Sequence, residues 1–186
     1  MKGKIMKKQT TFEGRAWVIT DTDGTLFDDV DTDMIYHNAH LAVTDIRQMG
    51  QYAFGNLKGW ENFSKDAAPG DVILIGKNFG SGSSRQHAID CFAALGVSAI
   101  VAESYGAITK RNAINAGFPI LTAGDLNARV TGEPGIRHLQ RVRLDLAAGE
   151  IRDAESGDLL LKTDPFSRVQ MDIYQAGNIF EFGKTL

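Results

Sequence analysis

A glycine-rich string between an apolar run and a helical pattern constrains the fold of this chain more than any other feature. Residues 71–75 form a short β-branched apolar run, which is typical of a buried strand. The string at 76–84 contains three glycines and three serines, and residues 85–95 then place apolar side chains at helical spacing before Gly96. The order of strand, flexible loop and helix predicts a βα unit whose loop bends sharply.

The same order continues along the chain. Residues 98–102 predict a second strand, 105–116 a second helix and 118–122 a third strand. A βαβαβ unit of this kind predicts parallel strands with right-handed crossovers. Ligands of such sheets bind at the carboxyl ends of the strands, so the glycine-rich loop, Glu103 and Ser104 should open at one edge.

The remaining segments extend this unit to a single α/β domain over residues 12–186, preceded by a disordered basic tail at 1–11. We find no repeat and no linker. The other predicted elements are a first strand at 15–20, a helix at 45–52, loops at 124–138, a hairpin of 142–146 with 151–152, a strand at 159–162, a helix at 169–176 and a final strand at 179–182.

Composition excludes several classes of function. A net charge of -3 and a pI near 5.8 give no sign of a nucleic-acid or membrane partner. The first residues lack the apolar region of a signal peptide, and no apolar run spans a bilayer. Cys91, the single cysteine, lies in a helical pattern, so we expect it to pack in the interior. A chain with one cysteine forms no internal disulfide, in keeping with a reducing cytoplasm. One thiol cannot hold an iron–sulfur cluster.

The glycine-rich string also predicts an anion site. Ser83 or Ser84 is a natural N-cap, the start of a helix attracts anions, and Arg85 adds a planar fork suited to a carboxylate or phosphate. The string is neither a P-loop nor a dinucleotide fingerprint, because the required Lys-Ser/Thr pair and third glycine are missing. A tight turn with a cap and a surface arginine is the alternative interpretation.

Two acidic clusters precede the string. The segment 21–29 follows an apolar strand and resembles the first motif of haloacid-dehalogenase-type phosphatases, which implies Asp21 as nucleophile, Asp23 as acid and Mg²⁺ between carboxylates. The later motifs of that family are missing, so an acidic turn is the preferred interpretation. The cluster at 31–35 leads to His37 and His40, whose spacing matches no standard metal site.

Four strings together resemble the small, swivelling subunit of the aconitase superfamily, of the isopropylmalate isomerase and homoaconitase kind. They occur in the right order at residues 31–35, 80–85, 111–117 and 176–179. The resemblance implies a swivelling β/β/α domain, with the central βαβαβ unit and additional strands toward the C-terminus. It also implies a cytoplasmic hydro-lyase of amino-acid biosynthesis, such as leucine biosynthesis, acting on a hydroxy di- or tricarboxylate.

In that family a separate large subunit carries a [4Fe–4S] cluster, so the resemblance implies a hetero-oligomer in which this chain binds no cofactor. A homo-oligomer of the isolated chain remains open. So does the substrate, because the segment after Ile35 lacks the Pro-Ala-Arg-Tyr-Leu-like string of isopropylmalate isomerases. A stand-alone carboxylate-binding module is the non-enzymatic alternative.

The resemblance also implies roles for individual residues. Ser83 would be the general base, Arg85 would grip a substrate carboxylate, and Ser84 would hydrogen-bond nearby. Asp33 would orient a catalytic histidine of the partner. Other implied substrate-binding residues are Thr32, His40, Leu41, Ala42, Val43 and Thr44.

Overall fold

A computed structural model describes residues 7–133 and 135–186, which form one seven-stranded sheet with helices on both faces. The strands are β1 (Thr11–Val18), β2 (Val72–Ile75), β3 (Ala99–Ala102), β4 (Ile120–Thr122), β5 (Arg141–Asp145), β6 (Glu150–Asp153) and β7 (Leu159–Lys162). The helices are α1 (Thr32–Ile35), α2 (Ile46–Met49), α3 (Phe63–Asp66), α4 (His87–Ala94), α5 (Ala107–Asn115), α6 (Leu126–Thr131), α7 (Arg168–Ala176) and α8 (Ile179–Gly183). Short 3₁₀ turns cover Asn38–His40 and Gly50–Tyr52.

The sheet joins a parallel half to an antiparallel half in the order β4-β3-β2-β1-β5-β6-β7. Strands β1 to β4 are parallel, and β5, β6 and β7 form an antiparallel meander. Strand β1 belongs to both halves, because residues 11–15 pair with β5 and residues 16–18 pair with β2. This confirms the predicted α/β class, the βαβαβ unit and the additional C-terminal strands.

The two faces of the sheet bury separate apolar cores. The first core holds Trp17, Ile73 and Ile100 beneath α2, α3, α4 and α5. The second core holds Val18 and Leu144 and is covered by α6 and α7. Successive residues of a strand point to opposite faces, so the continuous apolar runs of β2 and β3 supply both cores.

Some predicted boundaries are wrong. The strand predicted at 15–20 begins at Thr11, because the additional residues pair with β5. Of the predicted tail, residues 1–6 lie outside the described part. The Lys8 N–H donates to Gln175 Oε1 at 2.7 Å, and Gln175 Nε2 donates to the Lys8 carbonyl at 3.0 Å. The described chain therefore makes contacts before Thr11.

Two predicted elements have a different structure. The final strand predicted at 179–182 is the helix α8, which begins where the Asn178 side chain accepts a hydrogen bond from the Glu181 N–H. The loop predicted at 124–138 contains α6, which buries Leu126 in the second core. Both segments are short, and packing rather than local periodicity decides their conformation.

Candidate functional site

The glycine-rich loop and the acidic segment lie side by side at the carboxyl edge of the parallel strands. Residues 27–32 run alongside residues 76–81 and pair with them irregularly, beyond the end of the β1–β2 pairing. Four backbone hydrogen bonds join them: Gly76 N–H to Phe27 O at 3.1 Å, Asp29 N–H to Lys77 O at 2.9 Å, Gly80 N–H to Val30 O at 2.7 Å and Thr32 N–H to Ser81 O at 2.9 Å. The two distant strings of the sequence therefore form one site.

Glycine is required inside this loop because α5 approaches it closely. Gly80 has a φ of +73°, and a Cβ there would collide with the Thr109 side chain. The Thr109 hydroxyl instead donates to the Gly80 carbonyl at 2.6 Å. Gly82 also has a positive φ, +91°, but a Cβ there would make only ordinary contacts. Helix α5 thereby fixes the first half of the loop.

The loop turns Arg85 toward the acidic segment. Its Nη1 donates to Asp33 Oδ1 at 2.6 Å and to the Tyr36 carbonyl at 3.1 Å. The Arg85 side chain is 14% exposed and that of Asp33 is 33% exposed, so the pair lies at the edge of the solvent. The predicted cation of the site is present and already has one carboxylate partner.

The Asp33 carboxylate is surrounded by donors. Its Oδ1 also accepts the Asn38 N–H at 3.1 Å, its Oδ2 accepts from Asn56 Nδ2 at 3.3 Å, and His37 Nε2 lies 3.9 Å from Oδ2. The hydrogen bond from Arg85 is the main cause of the lowered pKa of Asp33; burial opposes it, and the Asn38 N–H and the charges of Arg85 and His37 lower the pKa further. Asp33 is therefore a fixed anion.

Helix α1 presents Asp33 because Asp31 caps it. Asp31 Oδ1 accepts the N–H groups of Asp33 and Met34, both at 2.8 Å. Asp31 therefore has a local role, because its carboxylate satisfies N–H groups at the start of α1. The Asp33 carboxylate is not needed for this cap and contacts Arg85 instead. Thr32, between them, is 1% exposed and lies against the glycine-rich loop.

The two serines lie on the exposed part of the loop. Within the described residues we find no hydrogen bond of the Ser83 or Ser84 hydroxyl. The prediction that one of them caps the helix is wrong, because α4 begins at His87 and its N-cap, Gln86, makes no side-chain capping bond. Their hydroxyls are not used by the helix and are open to a ligand.

The segment predicted to line the pocket follows α1. His40 stacks on Tyr52 with ring centroids 3.9 Å apart, and its carbonyl accepts from the Tyr36 hydroxyl at 3.2 Å. Val43 packs against the first core. The exposed members of this segment are Leu41, Ala42 and Thr44.

Sequence reasoning missed two residues of the site. The Tyr36 carbonyl accepts a hydrogen bond from Arg85, and the Tyr36 ring packs against the His87 ring with centroids 5.2 Å apart. Asn56 reaches Asp33 from 23 residues away along the chain. Neither residue type signals such a role locally, and only the fold brings them together.

The phosphatase-like segment is an acidic turn. Asp21 Oδ1 accepts the Asp23 N–H at 2.9 Å, and both oxygens of Asp21 lie 3.3 Å from the Thr25 hydroxyl. Thr20 and Leu26 pair across the turn. Asp21 therefore serves its own turn, as the preferred interpretation of the sequence expected.

This chain does not have the ligands that an iron–sulfur cluster needs. Cys91 is its single cysteine, is buried in α4, and its thiol lies 3.7 Å from the Ala88 carbonyl. Burial raises the pKa of this thiol above its usual range. Clusters are held by several thiolates, so the donor set does not fit. No group of three or more His, Cys, Asp or Glu side chains in the described ranges could hold a metal ion.

Comparisons with known proteins place these features in a family. Residues 61–123 match the aconitase C-terminal domain family. A protein of Caldicellulosiruptor bescii named 3-isopropylmalate dehydratase small subunit is 34% identical over 158 residues, covering 85% of this chain and 90% of the relative. The chain belongs to the 3-isopropylmalate dehydratase small-subunit family.

Two proteins of Methanocaldococcus jannaschii extend the comparison. One, named isopropylmalate/citramalate isomerase small subunit, is 31% identical over 176 residues, covering 95% of each chain. The crystal structure of a 3-isopropylmalate dehydratase from this organism is 31% identical, covers 94% of each chain and superposes with a TM-score of 0.78. The 3-isopropylmalate dehydratase small-subunit fold thus extends over nearly the whole chain.

Membership in the 3-isopropylmalate dehydratase small-subunit family confirms the resemblance found in the sequence and the hydro-lyase class it implied. The comparisons give no support to the phosphatase alternative or to the stand-alone binding module. None of the helices within the described ranges has the length and apolar character needed to cross a bilayer.

Proposed function

We propose that this chain is the small subunit of a two-subunit hydro-lyase that acts on a hydroxy dicarboxylate of the 3-isopropylmalate or citramalate type. The names of the relatives support the substrate class and the large partner subunit. The observation that carries the proposal is that the Arg85 guanidinium, anchored by Asp33, and the exposed Ser83 belong to one glycine-rich loop. Leucine biosynthesis is the corresponding pathway.

In this proposal Arg85 binds a substrate carboxylate and Ser83 takes the proton from the carbon next to a carboxylate. A guanidinium presents a planar fork that matches a carboxylate. Ser84 hydrogen-bonds the same substrate. The wall that contacts the variable part of the substrate consists of Thr32, His40, Leu41, Ala42, Val43 and Thr44. Two observations support this role: Thr32 adjoins Asp33 on α1, and His40 contacts Tyr36, whose carbonyl accepts from Arg85.

A serine hydroxyl by itself is a poor base. A helix N-terminus stabilises an anion by about 0.3–1 kcal/mol, which is less than one pKa unit. Ser83 also lies ahead of the first turn of α4, which weakens even that contribution. The active site must therefore be completed by a partner that supplies charge and excludes water.

We propose that this partner is the large subunit and that it carries the [4Fe–4S] cluster, since this chain has a single buried cysteine. Asp33 is proposed to orient a catalytic histidine of that subunit. Its side chain is 33% exposed, so the carboxylate is accessible from the solvent side. Residues 12–186 would then act as one swivel domain that closes on the large subunit.

The test is to purify the chain with its large subunit and measure dehydration of 3-isopropylmalate and citramalate, together with rehydration of the unsaturated dicarboxylate that each forms. The S83A variant should lower kcat at least about 100-fold, since general bases contribute typically 10²–10⁴-fold. The control is S156A, which removes an exposed serine hydroxyl in the β6–β7 turn. Near-normal turnover by S83A would contradict the assignment of the base, and absence of turnover by the wild-type complex would contradict the function.

A further inference from the structure

Asp33 meets Arg85 through one oxygen only. Asp33 Oδ1 accepts from Arg85 Nη1 at 2.6 Å, and within the described residues no second hydrogen bond joins the two side chains. Arginine–carboxylate pairs are frequently bidentate, with two parallel N–H···O bonds. The geometry here leaves the other edge of the guanidinium, Nε and Nη2, available to a second carboxylate.

The second oxygen of Asp33 is held by Asn56. Asn56 Nδ2 donates to Asp33 Oδ2 and to the Asp33 backbone carbonyl, both at 3.3 Å. One amide nitrogen therefore links the side chain of Asp33 to its own main chain. This contact fixes the rotation of the carboxylate and keeps Oδ2 away from Arg85.

A rigid turn presents Asn56, although its side chain is exposed. Phe54 is fully buried, has a φ of +57°, and donates its N–H to the Ile35 carbonyl at 2.9 Å. Leu57, on the other side, is 1% exposed. A bulky residue adopts positive φ only where its surroundings impose it. The buried Phe54 and Leu57 thus hold the turn that carries Gly55 and Asn56 in place relative to α1.

We propose that Asn56 is a positioning residue, which keeps Asp33 in one-oxygen contact with Arg85 so that the guanidinium retains a free edge for the substrate carboxylate. The inference rests on the proposed function of Arg85. Without the Asn56 amide, Oδ2 can rotate onto Arg85 and form the bidentate pair. The substrate then has to displace a carboxylate of the protein, which weakens substrate binding more than it slows the chemical step.

The decisive variant is N56D, which keeps the shape of the side chain but replaces its donor by an acceptor that repels Asp33. In the complex with the large subunit, N56D should raise KM about tenfold, the scale of one hydrogen bond to a charged group. It should lower kcat by a smaller factor, because the rotated Asp33 also orients the partner's histidine less well. The matched control is N62D, which makes the same charge change at an exposed asparagine of the same region and should leave KM unchanged.

A second measurement uses the chain without its partner. The NMR signal of the Arg85 Nε–H reports the mobility and hydrogen bonding of the guanidinium. In N56A this signal should change, because the pairing with Asp33 changes, whereas in N62A it should not. A purely structural role of Asn56 would reduce the fraction of active enzyme, and so kcat, without affecting KM or this signal.

The outcomes distinguish the proposed function of the chain from the positioning role of Asn56. An inactive wild-type complex contradicts the proposed function itself. An active wild-type complex together with an unchanged KM in N56D overturns only the role of Asn56. Failure of both Asn56 variants to fold would also overturn it, because that result would assign this exposed residue to stability.

Discussion

At the scale of the residue, the site depends on one charged pair whose partners lie 52 positions apart in sequence. Arg85 Nη1 donates to two acceptors at once, Asp33 and the Tyr36 carbonyl. A lysine ammonium is a compact point charge and cannot reproduce both contacts while keeping a planar edge for a carboxylate. The identity of this residue therefore matters beyond its charge.

The R85K variant should raise KM for the dicarboxylate at least about tenfold in the complex, because the loss of charge-assisted hydrogen bonds costs roughly 1.5–3 kcal/mol. Steady-state kinetics with the large subunit measures this effect. R152K is the matched control, since Arg152 likewise pairs with a carboxylate, Glu150, and donates to a backbone carbonyl, that of Gly157, but lies on β6 in the antiparallel half of the sheet. Equal KM values for R85K and wild type would rule out Arg85 as the carboxylate anchor.

At the scale of the element, the glycine-rich loop is shaped by the helix that follows the next strand. Gly80 and Gly82 of this loop differ in what surrounds them. A Cβ at Gly80 collides with Thr109 of α5, whereas a Cβ at Gly82 has its nearest neighbours, Thr32 and Asp31, at 3.6 and 3.8 Å. Both have positive φ, so the difference between them isolates the contact with α5.

We therefore expect G80A to lower the free energy of unfolding by more than G82A. Each variant loses about 1 kcal/mol because alanine is strained at positive φ. G80A loses further stability because the new Cβ must displace Thr109. Urea unfolding of the isolated chain measures both values. The double variant G80A/T109A should regain part of the loss, and equal losses for G80A and G82A would contradict the close approach of α5.

A buried carboxylate joins β1 to the start of β2. Asp71 is 2% exposed, and its Oδ2 accepts from Trp17 Nε1 at 2.6 Å, Arg15 Nη2 at 2.7 Å and the Ala68 N–H at 2.8 Å. Burial alone raises the pKa of Asp71, but these hydrogen bonds outweigh it and the pKa is lowered. The carboxylate therefore stabilises the fold in its charged form.

Replacing Asp71 by asparagine should destabilise the chain by about 3 kcal/mol at pH 7, as expected when one partner of a buried pair is removed. A lowered pKa in the folded state stabilises the protein above the unfolded value, near 3.8, and this contribution is lost as the pH falls through the folded value. The difference in unfolding free energy between wild type and D71N should therefore shrink below pH 4. D23N, at an exposed aspartate in the turn after β1, provides the control.

At the scale of the whole molecule, β1 connects two cores. Trp17 points to the first core and Val18 to the second, and the same strand pairs with the parallel and the antiparallel half of the sheet. Both tryptophans of the sequence, Trp17 and Trp60, belong to the first core. Because the cores share their strands, we expect them to unfold together, as a single domain over residues 12–186.

The L144A variant tests this cooperativity. Leu144 is fully buried in the second core, so its truncation should cost about 2–5 kcal/mol. Tryptophan fluorescence, which reports the first core, and far-UV circular dichroism, which reports the whole sheet, should shift to lower urea by the same amount. Two separate transitions would show that the halves of the sheet fold independently.

The parallel half of the fold could be predicted from the sequence because its elements are defined by local signals. The apolar runs of β2 and β3 and the helical spacing of α4 are strong over several residues. The predicted strand at 179–182 is wrong because a run of four mostly apolar residues fits a strand as well as one turn of a helix. Its conformation depends on the local cap at Asn178, which follows the turn at Gly177, and the apolar pattern of the segment does not report this cap.

What the sequence determined by itself was the set of chemical groups, namely a serine pair and an arginine on a glycine-rich loop and an acidic string earlier in the chain. It determined this because residue identity and short-range order need no three-dimensional context. Only the tertiary structure decided that Asp33 meets Arg85, that Asn56 holds the far oxygen of Asp33, and that α4 begins beyond the serines. These contacts join segments that are far apart along the chain, and the packing of the sheet against its helices sets their distances.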